Sequence, residues 1–140
     1  MSESFVKFTY PLKVIERHLD TFGHMNNATY LEVLEEARWD FINQRGYGMA
    51  KIRESALGPT ILECNIKFMK ELRLHQNVVI ETQATSCAGK IAMLKQVILN
   101  ENNESCAEAV FTVALFDLKA RKLVLPTPEW LYAIGVSEAT

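Results

Sequence analysis

The segment from Glu16 to Tyr30 contains the densest cluster of potentially reactive side chains in the sequence. It places the carboxylate of Asp20 and the imidazole of His24 just before a pattern typical of a helix. Free backbone N–H groups at the start of a helix can stabilise negative charge that develops on an oxygen. Asp20 could therefore attack a carbonyl or take a proton from water, and Gly23 would let a substrate approach the backbone closely.

The same residues also fit a purely structural role, in which Asp20, His24 and the neighbouring asparagines build and cap a polar loop. A metal site formed by His18, His24 and Asp20 is geometrically feasible, although their spacing matches none of the standard ligand patterns. Ser-His-Asp chemistry is not indicated, because no serine stands in a recognisable nucleophile motif. Residue types alone leave the structural and the catalytic interpretation open.

A long helix must follow this cluster, because apolar residues recur at steps of three and four positions. The apolar stripe consists of Tyr30, Leu31, Leu34, Ala37, Phe41 and Ile42. Asn26 or Asn27 can cap the start of this helix, and Gly46 stands where a helix usually ends. Arg38 falls within the stripe, so it needs a partner, and Glu35 lies three residues away on the same side.

Alternating patterns typical of β-strands occupy much of the remaining chain. They cover residues 8–14, 62–68, 78–84, 91–99 and 107–115. Pro11 indicates an edge position or a bulge, and Pro126 and Pro128 precede a short helical tail at 129–134. This order predicts an α+β fold in which one helix covers a face of a five-stranded antiparallel sheet. The strand at 91–99 is apolar on both sides, which predicts a partner subunit.

The composition is that of a globular protein. The chain has 140 residues, 49% of them hydrophobic, and a net charge of -2, which predicts one domain and does not favour nucleic acid. No signal peptide or membrane span is evident, so we expect a soluble, cytoplasmic protein with no membrane partner. Cys64, Cys87 and Cys106 show no zinc or redox spacing and are expected to be small core residues.

Two segments together resemble the hotdog thioesterases of the 4-hydroxybenzoyl-CoA thioesterase superfamily. The first runs from Leu19 to Leu31, contains Gly23-His24-Met25-Asn26-Asn27, and continues from Leu34 to Arg38. The second, from Gly58 to Phe68, is similar to the family's second strand. The first segment is most similar to the bacterial long-chain acyl-CoA thioesterase branch and is also similar to plant acyl-ACP thioesterases. The resemblance covers nearly the whole chain and implies one hotdog domain over residues 1–140.

The resemblance also implies roles for individual residues. Asp20 falls on the family's catalytic aspartate, a nucleophile or a general base depending on the branch. Backbone N–H groups at Gly23 and the following residues would polarise the thioester carbonyl. His24 would orient water or the carboxylate, and Tyr30 would pack and position the site.

Other positions remain less defined by the resemblance. Asn27 stands where another branch has a histidine, and Glu35 would either pair with Arg38 or support catalysis. His18 replaces a second aspartate of some relatives, which leaves Asp20 as the main catalytic candidate.

Coenzyme A carries phosphates that require cations near the mouth of the site. The candidate contacts to coenzyme A are Thr60, Lys67, Lys70, Arg73 and Lys90. The acyl chain would need an apolar tunnel between helix and sheet. Its candidate lining residues, each of which also fits an ordinary core, are Phe22, Met25, Leu34, Phe41, Met49 and Phe68.

The sequence therefore predicts hydrolysis of an acyl-CoA to a free acid and coenzyme A, by a homodimer or homotetramer with sites between subunits. No metal or other cofactor is expected, since coenzyme A is part of the substrate. The alternatives are an acyl-ACP thioesterase and a non-catalytic acyl-CoA-binding hotdog protein. A hotdog dehydratase ranks last, because that class usually places its histidine and acid differently.

Overall fold

The computed structural model describes residues 3–138, in which a curved antiparallel sheet packs against one long helix. The strands are β1 (Glu3–Phe5), β2 (Lys7–Lys13), β3 (Leu57–Phe68), β4 (Asn77–Ala88), β5 (Ile91–Leu99), β6 (Ser105–Asp117), β7 (Lys122–Val124) and β8 (Val136–Glu138). The helices are α1 (Asn27–Gln44), α2 (Met49–Ser55) and α3 (Pro128–Ala133), with a 3-10 turn at Glu16–His18. In residues 3–138, no helix is both long enough and apolar enough to cross a bilayer.

Helix α1 confirms the predicted long helix. The side chain of Asn26 caps it by accepting a 3.0 Å hydrogen bond from the backbone N–H of Ala28. The helix ends at Gln44, and Gly46 follows with a φ of 84°, a conformation that glycine adopts without strain. Its inward side buries Tyr30, Val33, Leu34, Ala37, Arg38, Phe41 and Ile42 against the sheet.

The main sheet has the strand order β2-β4-β5-β6-β3, with β7 paired to β6. Pro11 lies on the edge strand β2, as predicted, so its missing N–H costs no hydrogen bond within the sheet. The expected five strands are one too few. Strand β7 pairs with Leu115–Asp117, just past the residue of β6 that pairs with the first residue of β5. Its three residues are too few to show alternation.

Three further short elements were also missing from the sequence prediction. Ile52 is the one buried residue of α2, so this seven-residue helix shows no apolar stripe in the sequence. Strands β1 and β8 pair in a separate two-stranded sheet, and three residues each give no periodic signal. The predicted helical tail is confirmed as α3, which Thr127 caps through its hydroxyl.

A buried polar network joins α1 to the sheet and corrects the partner predicted for Arg38. Arg38 Nη1 donates a 2.9 Å hydrogen bond to Gln96 Oε1, and the guanidinium carbon lies 4.2 Å from the centre of the Phe111 ring. Gln96 Nε2 donates to the Leu34 carbonyl and to Thr82 Oγ1, each at 3.0 Å. Within residues 4–137, no carboxylate forms an ion pair with Arg38. A neutral amide thus takes the role expected of Glu35.

The cysteine prediction was right for only part of the set. Cys106 is buried and Cys87 is half-buried, whereas Cys64 is exposed on β3. Cys64 is exposed because β3 is the second edge strand of the main sheet.

Gly135 connects the small sheet to the core at a position that no other residue fits. Its φ is 79°, and a Cβ atom there would lie 2.8 Å from Phe8 Cε2. We predict that Gly135→Ala lowers the free energy of unfolding by about 2 kcal/mol, because strain and overlap add. Gly89→Ala is the control, since Gly89 has a φ of 58° but open space around it. Equal losses in urea titrations of the two variants would contradict the steric part of this prediction.

Candidate functional site

The loop before α1 is held by its own backbone and by the β3–β4 connection. The Asp20 N–H donates to the His24 carbonyl at 2.9 Å, and the Gly23 N–H donates to the Asp20 carbonyl at 3.2 Å. The Met25 N–H donates to the Leu72 carbonyl at 2.8 Å. Gly23 has a φ of 85°, which lets the loop reverse direction tightly. The loop is therefore a fixed platform at the start of the long helix.

An open pocket of roughly 380 Å³ lies beside this platform. Its lining residues are Asp20, His24, Met25, Asn27, Tyr30, Phe68, Met69, Lys70 and Glu71. Asp20 is half-buried, and its Oδ1 accepts a 2.8 Å hydrogen bond from the Phe22 N–H, which orients the carboxylate. The structure thus brings together four of the candidate catalytic side chains, those of Asp20, His24, Asn27 and Tyr30.

Glu71 anchors the imidazole of His24, a contact that sequence reasoning missed. His24 Nε2 lies 2.9 Å from Glu71 Oε2, and Arg73 Nε donates to Glu71 Oε1 at 2.7 Å. The hydrogen bond from Arg73 lowers the pKa of Glu71, so this carboxylate stays ionised near neutral pH. Glu71 lies in a connection without periodicity, far from the motif in sequence, so no local signal identified it.

Tyr30 forms the apolar wall of the pocket. Its ring is buried and meets the Phe68 ring edge-on, with centroids 4.9 Å apart. Burial raises the pKa of the Tyr30 phenol, which makes this hydroxyl a poor source of protons at neutral pH. The geometry agrees with the packing role that the resemblance implies.

His18 is turned away from the pocket and buried. Its Nδ1 accepts a 3.0 Å hydrogen bond from the Ile15 N–H, and its carbonyl accepts from the Asn26 N–H at 2.9 Å. Burial and the charge of Arg17 lower the pKa of this imidazole. Across residues 3–138, no three His, Cys, Asp or Glu side chains are grouped so that they could hold a metal ion.

Two of the candidate coenzyme A contacts, Lys70 and Arg73, form ion pairs within the chain. Lys70 lines the pocket and pairs with Glu104, and Arg73 pairs with Glu71. Lys67 is exposed one residue before Phe68. Exposed ion pairs of this kind contribute only about 0–1 kcal/mol, so phosphate groups can displace them readily.

Thr60 and Lys90 do not join this cluster within one chain. Thr60 is eight residues from Phe68 along β3, which corresponds to roughly 26 Å at about 3.3 Å per residue. Lys90 precedes Ile91, which pairs with Ala114 opposite Thr60, so both residues lie at the far end of the sheet.

Glu35 also lies outside the pocket that contains Asp20. It lines a second, more enclosed cavity of about 80 Å³. The other lining residues are Arg38, Trp39, Ile42, Pro59, Ile61, Leu94, Val113 and Trp130.

The residues expected to line the acyl tunnel fall into two groups. Met25, Leu34 and Phe41 are buried, and Met25 also lines the Asp20 pocket. Phe22 is 81% exposed at the tip of the loop, and Met49 is exposed on α2. Phe68 alone is both accessible and adjacent to the Asp20 pocket, because it lies on the uncovered edge strand.

Comparison with known proteins finds similarity to thioesterases. The family model described as the thioesterase-like superfamily matches residues 16–134. The long-chain acyl-CoA thioesterase FadM of Escherichia coli K12 is 35% identical over 113 residues, covering 79% of this chain and 84% of FadM. The chloroplastic acyl-acyl carrier protein thioesterase ATL2 of Arabidopsis thaliana is 30% identical over 117 residues, covering 83% of this chain and 62% of ATL2.

A solved structure, the probable thioesterase YbaW from Escherichia coli, superposes on the chain with a TM-score of 0.80 and 31% identity. The match covers 89% of this chain and 94% of YbaW. The hotdog fold expected from the sequence is therefore confirmed.

Buried His18 should make stability depend on pH. Because folding lowers its pKa, the native state favours the neutral imidazole. Its contribution is complete above the unfolded pKa of about 6.5 and is lost as the pH falls below that value. We predict that His18→Asn, which keeps an acceptor for the Ile15 N–H, flattens this pH dependence. Urea unfolding of both proteins between pH 5 and 8 tests this, and parallel curves would contradict it.

Proposed function

The chain belongs to the thioesterase-like superfamily, and on that premise we propose that it hydrolyses an acyl-coenzyme A to a free acid and coenzyme A. The observation that carries the proposal is the pocket in which Asp20 lies beside the start of α1. A thioester has a good leaving group, so one carboxylate and an oxyanion site are sufficient for its hydrolysis. Positioning and electrostatic stabilisation then account for most of the lowering of the barrier.

In the proposed mechanism Asp20 takes a proton from a water molecule, which attacks the thioester carbonyl. Direct attack by the Asp20 carboxylate is the second route. The N–H groups of Gly23, Met25 and Asn26 donate to protein carbonyls, so we assign the oxyanion contacts to the N–H groups of His24 and Asn27. These two residues border the pocket at the positive end of the helix dipole. Glu71 would hold His24 in place during the reaction.

The nucleotide of coenzyme A is assigned to basic residues of two subunits. Lys70 lines the Asp20 pocket, Arg73 bonds to Glu71 of that pocket, and Lys67 precedes Phe68 on β3. Thr60 and Lys90 are at the far end of the same sheet. A second subunit that pairs along β3 in the antiparallel direction would bring its own Thr60 and Lys90 towards this pocket.

The edge of β3 supports such a homodimer. Its outer side has no strand partner among residues 3–138, and Ile61, Leu62 and Phe68 are each more than 40% exposed there. A long apolar edge of this kind is a template for pairing with another chain. Strand β2, the other edge, is shorter and carries Pro11, which makes it a poorer partner. A homotetramer would require a further surface on the outer side of the sheet.

An acyl group carried on a protein is the second candidate substrate. The observation that favours it is the 30% identity to ATL2, which is described as an acyl-acyl carrier protein thioesterase. The two substrates share the thioester and the acyl chain. They differ in the carrier, coenzyme A or a protein, that would contact the surface around the mouth of the pocket.

We predict thiol release from a panel of acyl-CoAs that includes short, long and aromatic members, with a clear optimum of chain length.

Asp20→Asn should lower kcat at least 100-fold because the amide cannot take a proton, while its Oδ1 still accepts from the Phe22 N–H. Asp40→Asn on α1 is the matched control and should keep wild-type turnover. Near-wild-type activity of Asp20→Asn would overturn the catalytic assignment. Turnover only with acyl carried on a carrier protein would favour the second candidate.

The proposed dimer predicts a change in assembly when charge is placed on the β3 edge. Leu62→Lys should shift the protein from dimer to monomer in sedimentation-velocity experiments, because each subunit would place a charge on the apolar edge of β3. Leu125→Lys is the control, since Leu125 is 65% exposed in the connection between β7 and α3. A Leu62→Lys protein that remains dimeric at low micromolar concentration would exclude this edge as the interface.

A further inference from the structure

One side of α1 extends from the Asp20 pocket to the cavity that contains Arg38. On α1, the residues Asn27, Leu31, Glu35, Arg38 and Ile42 follow one another at helical spacing along the same side. Asn27 borders the Asp20 pocket, whereas Glu35, Arg38 and Ile42 line the cavity. The space between this side of the helix and β3, here called the groove, therefore has one site at each end.

Strand β3 forms the opposite wall. Phe68, Ile66, Cys64 and Ile61 pair with Ala107, Ala109, Phe111 and Val113, all of which are buried beneath α1. Paired residues lie on the same face of a sheet, so these β3 side chains face the helix as well. The wall is apolar over its whole length, and Phe68, Cys64 and Ile61 are exposed within a single chain.

Arg38 places a cation at the inner end of this apolar groove. Its side chain is only 8% exposed, it lines the cavity, and the Phe111 ring covers one face of the guanidinium. Of its five N–H donors, the hydrogen bond to Gln96 uses one nitrogen, Nη1. Within the described residues no fully buried side-chain nitrogen lacks a partner, so the Arg38 nitrogens that do not bond to Gln96 are accessible to another acceptor.

Glu35 sets the kind of acceptor that fits. Its carboxylate borders the same cavity. Burial lowers the pKa of the Arg38 guanidinium, and the negative charge of Glu35 opposes that shift. A ligand carboxylate would be repelled by Glu35. A hydroxyl group can accept from Arg38 and donate to Glu35 at once. The cavity of about 80 Å³ has room for such a group and little more.

We propose that Arg38 and Glu35 form a specificity site for a hydroxyl group on the distal part of the acyl chain. The inference rests on the proposed acyl-CoA hydrolysis, since the groove starts at the Asp20 pocket. Tyr30 and Arg38 are eight residues apart on α1, or about 12 Å at about 1.5 Å per residue. The hydroxyl therefore lies on a carbon well removed from the thioester. Medium and long hydroxyacyl chains are the substrate class.

The test compares kcat/KM for acyl-CoAs of one chain length that differ only at distal carbons. The members carry no substituent, a hydroxyl at successive positions, or a terminal carboxylate. The wild type should prefer at least one distal hydroxyl over the plain chain by on the order of tenfold, the usual worth of a hydrogen bond to a charged group. Equal rates at every position, or a preference for the carboxylate, would overturn the proposal.

Variants separate recognition of the hydroxyl from a structural role of Arg38. Arg38→Met keeps a long apolar side chain and should abolish the preference while still hydrolysing the plain chain. A structural role would lower both rates together and leave their ratio unchanged. If Arg38→Met does not fold, Glu35→Ala provides the same test, because Glu35 is exposed on α1. Glu32→Ala, an exposed control on the same helix, should keep the wild-type ratio.

A binding measurement keeps this proposal separate from the proposed function. Calorimetric titration of the wild-type protein with free hydroxy fatty acids and with the matched plain fatty acids needs no turnover. Tighter binding of the hydroxy acid that is lost in Glu35→Ala supports the specificity site even if no thioester is hydrolysed. Equal binding of the two acids argues against it, whatever the activity.

Discussion

The side chain of Gln96 fixes how the long helix lies on the sheet. It is fully buried on β5 and bonds to the Leu34 carbonyl and Arg38 on α1 and to Thr82 on β4. Apolar contacts would permit α1 to slide or rotate at little cost, whereas buried polar groups lose their partners if it moves. One amide thus sets the position of the helix start beside Asp20 and of Arg38 in its cavity.

The sequence contained most of the fold, because the long elements are periodic. The limits of α1, the capping role of Asn26, the edge position of Pro11 and the α3 tail all follow from local rules of helix and strand formation. The elements that were missed, α2, β1, β7 and β8, have three to seven residues each. At that length a segment is stabilised by what it contacts, which a local pattern does not contain.

The residues of the candidate site likewise divide into those that a local pattern identifies and those that it misses. The loop residues Asp20, His24 and Asn27 were found because they are adjacent in sequence and precede a helix. Glu71 and Gln96 were not, because each reaches its partner only through the pairing of distant strands. The prediction that Glu35 lies on the same side of α1 as Arg38 was correct. A helical projection, however, gives the angle of a side chain around the helix and not its distance from a partner. It therefore missed the neutral amide that contacts the guanidinium instead.

The bulge in β3 bears on how this strand can vary in evolution. Ile61 faces α1 before the bulge and Cys64 faces it afterwards, with Leu62 as the extra residue between the paired positions. Loss of Leu62 would leave a regular strand in which both halves keep their faces. Loss of any residue nearer Phe68 would instead turn Glu63, Asn65 and Lys67 inwards along part of the strand and place charge in the groove. Insertions and deletions among related chains should therefore be tolerated at Leu62 and selected against elsewhere in β3.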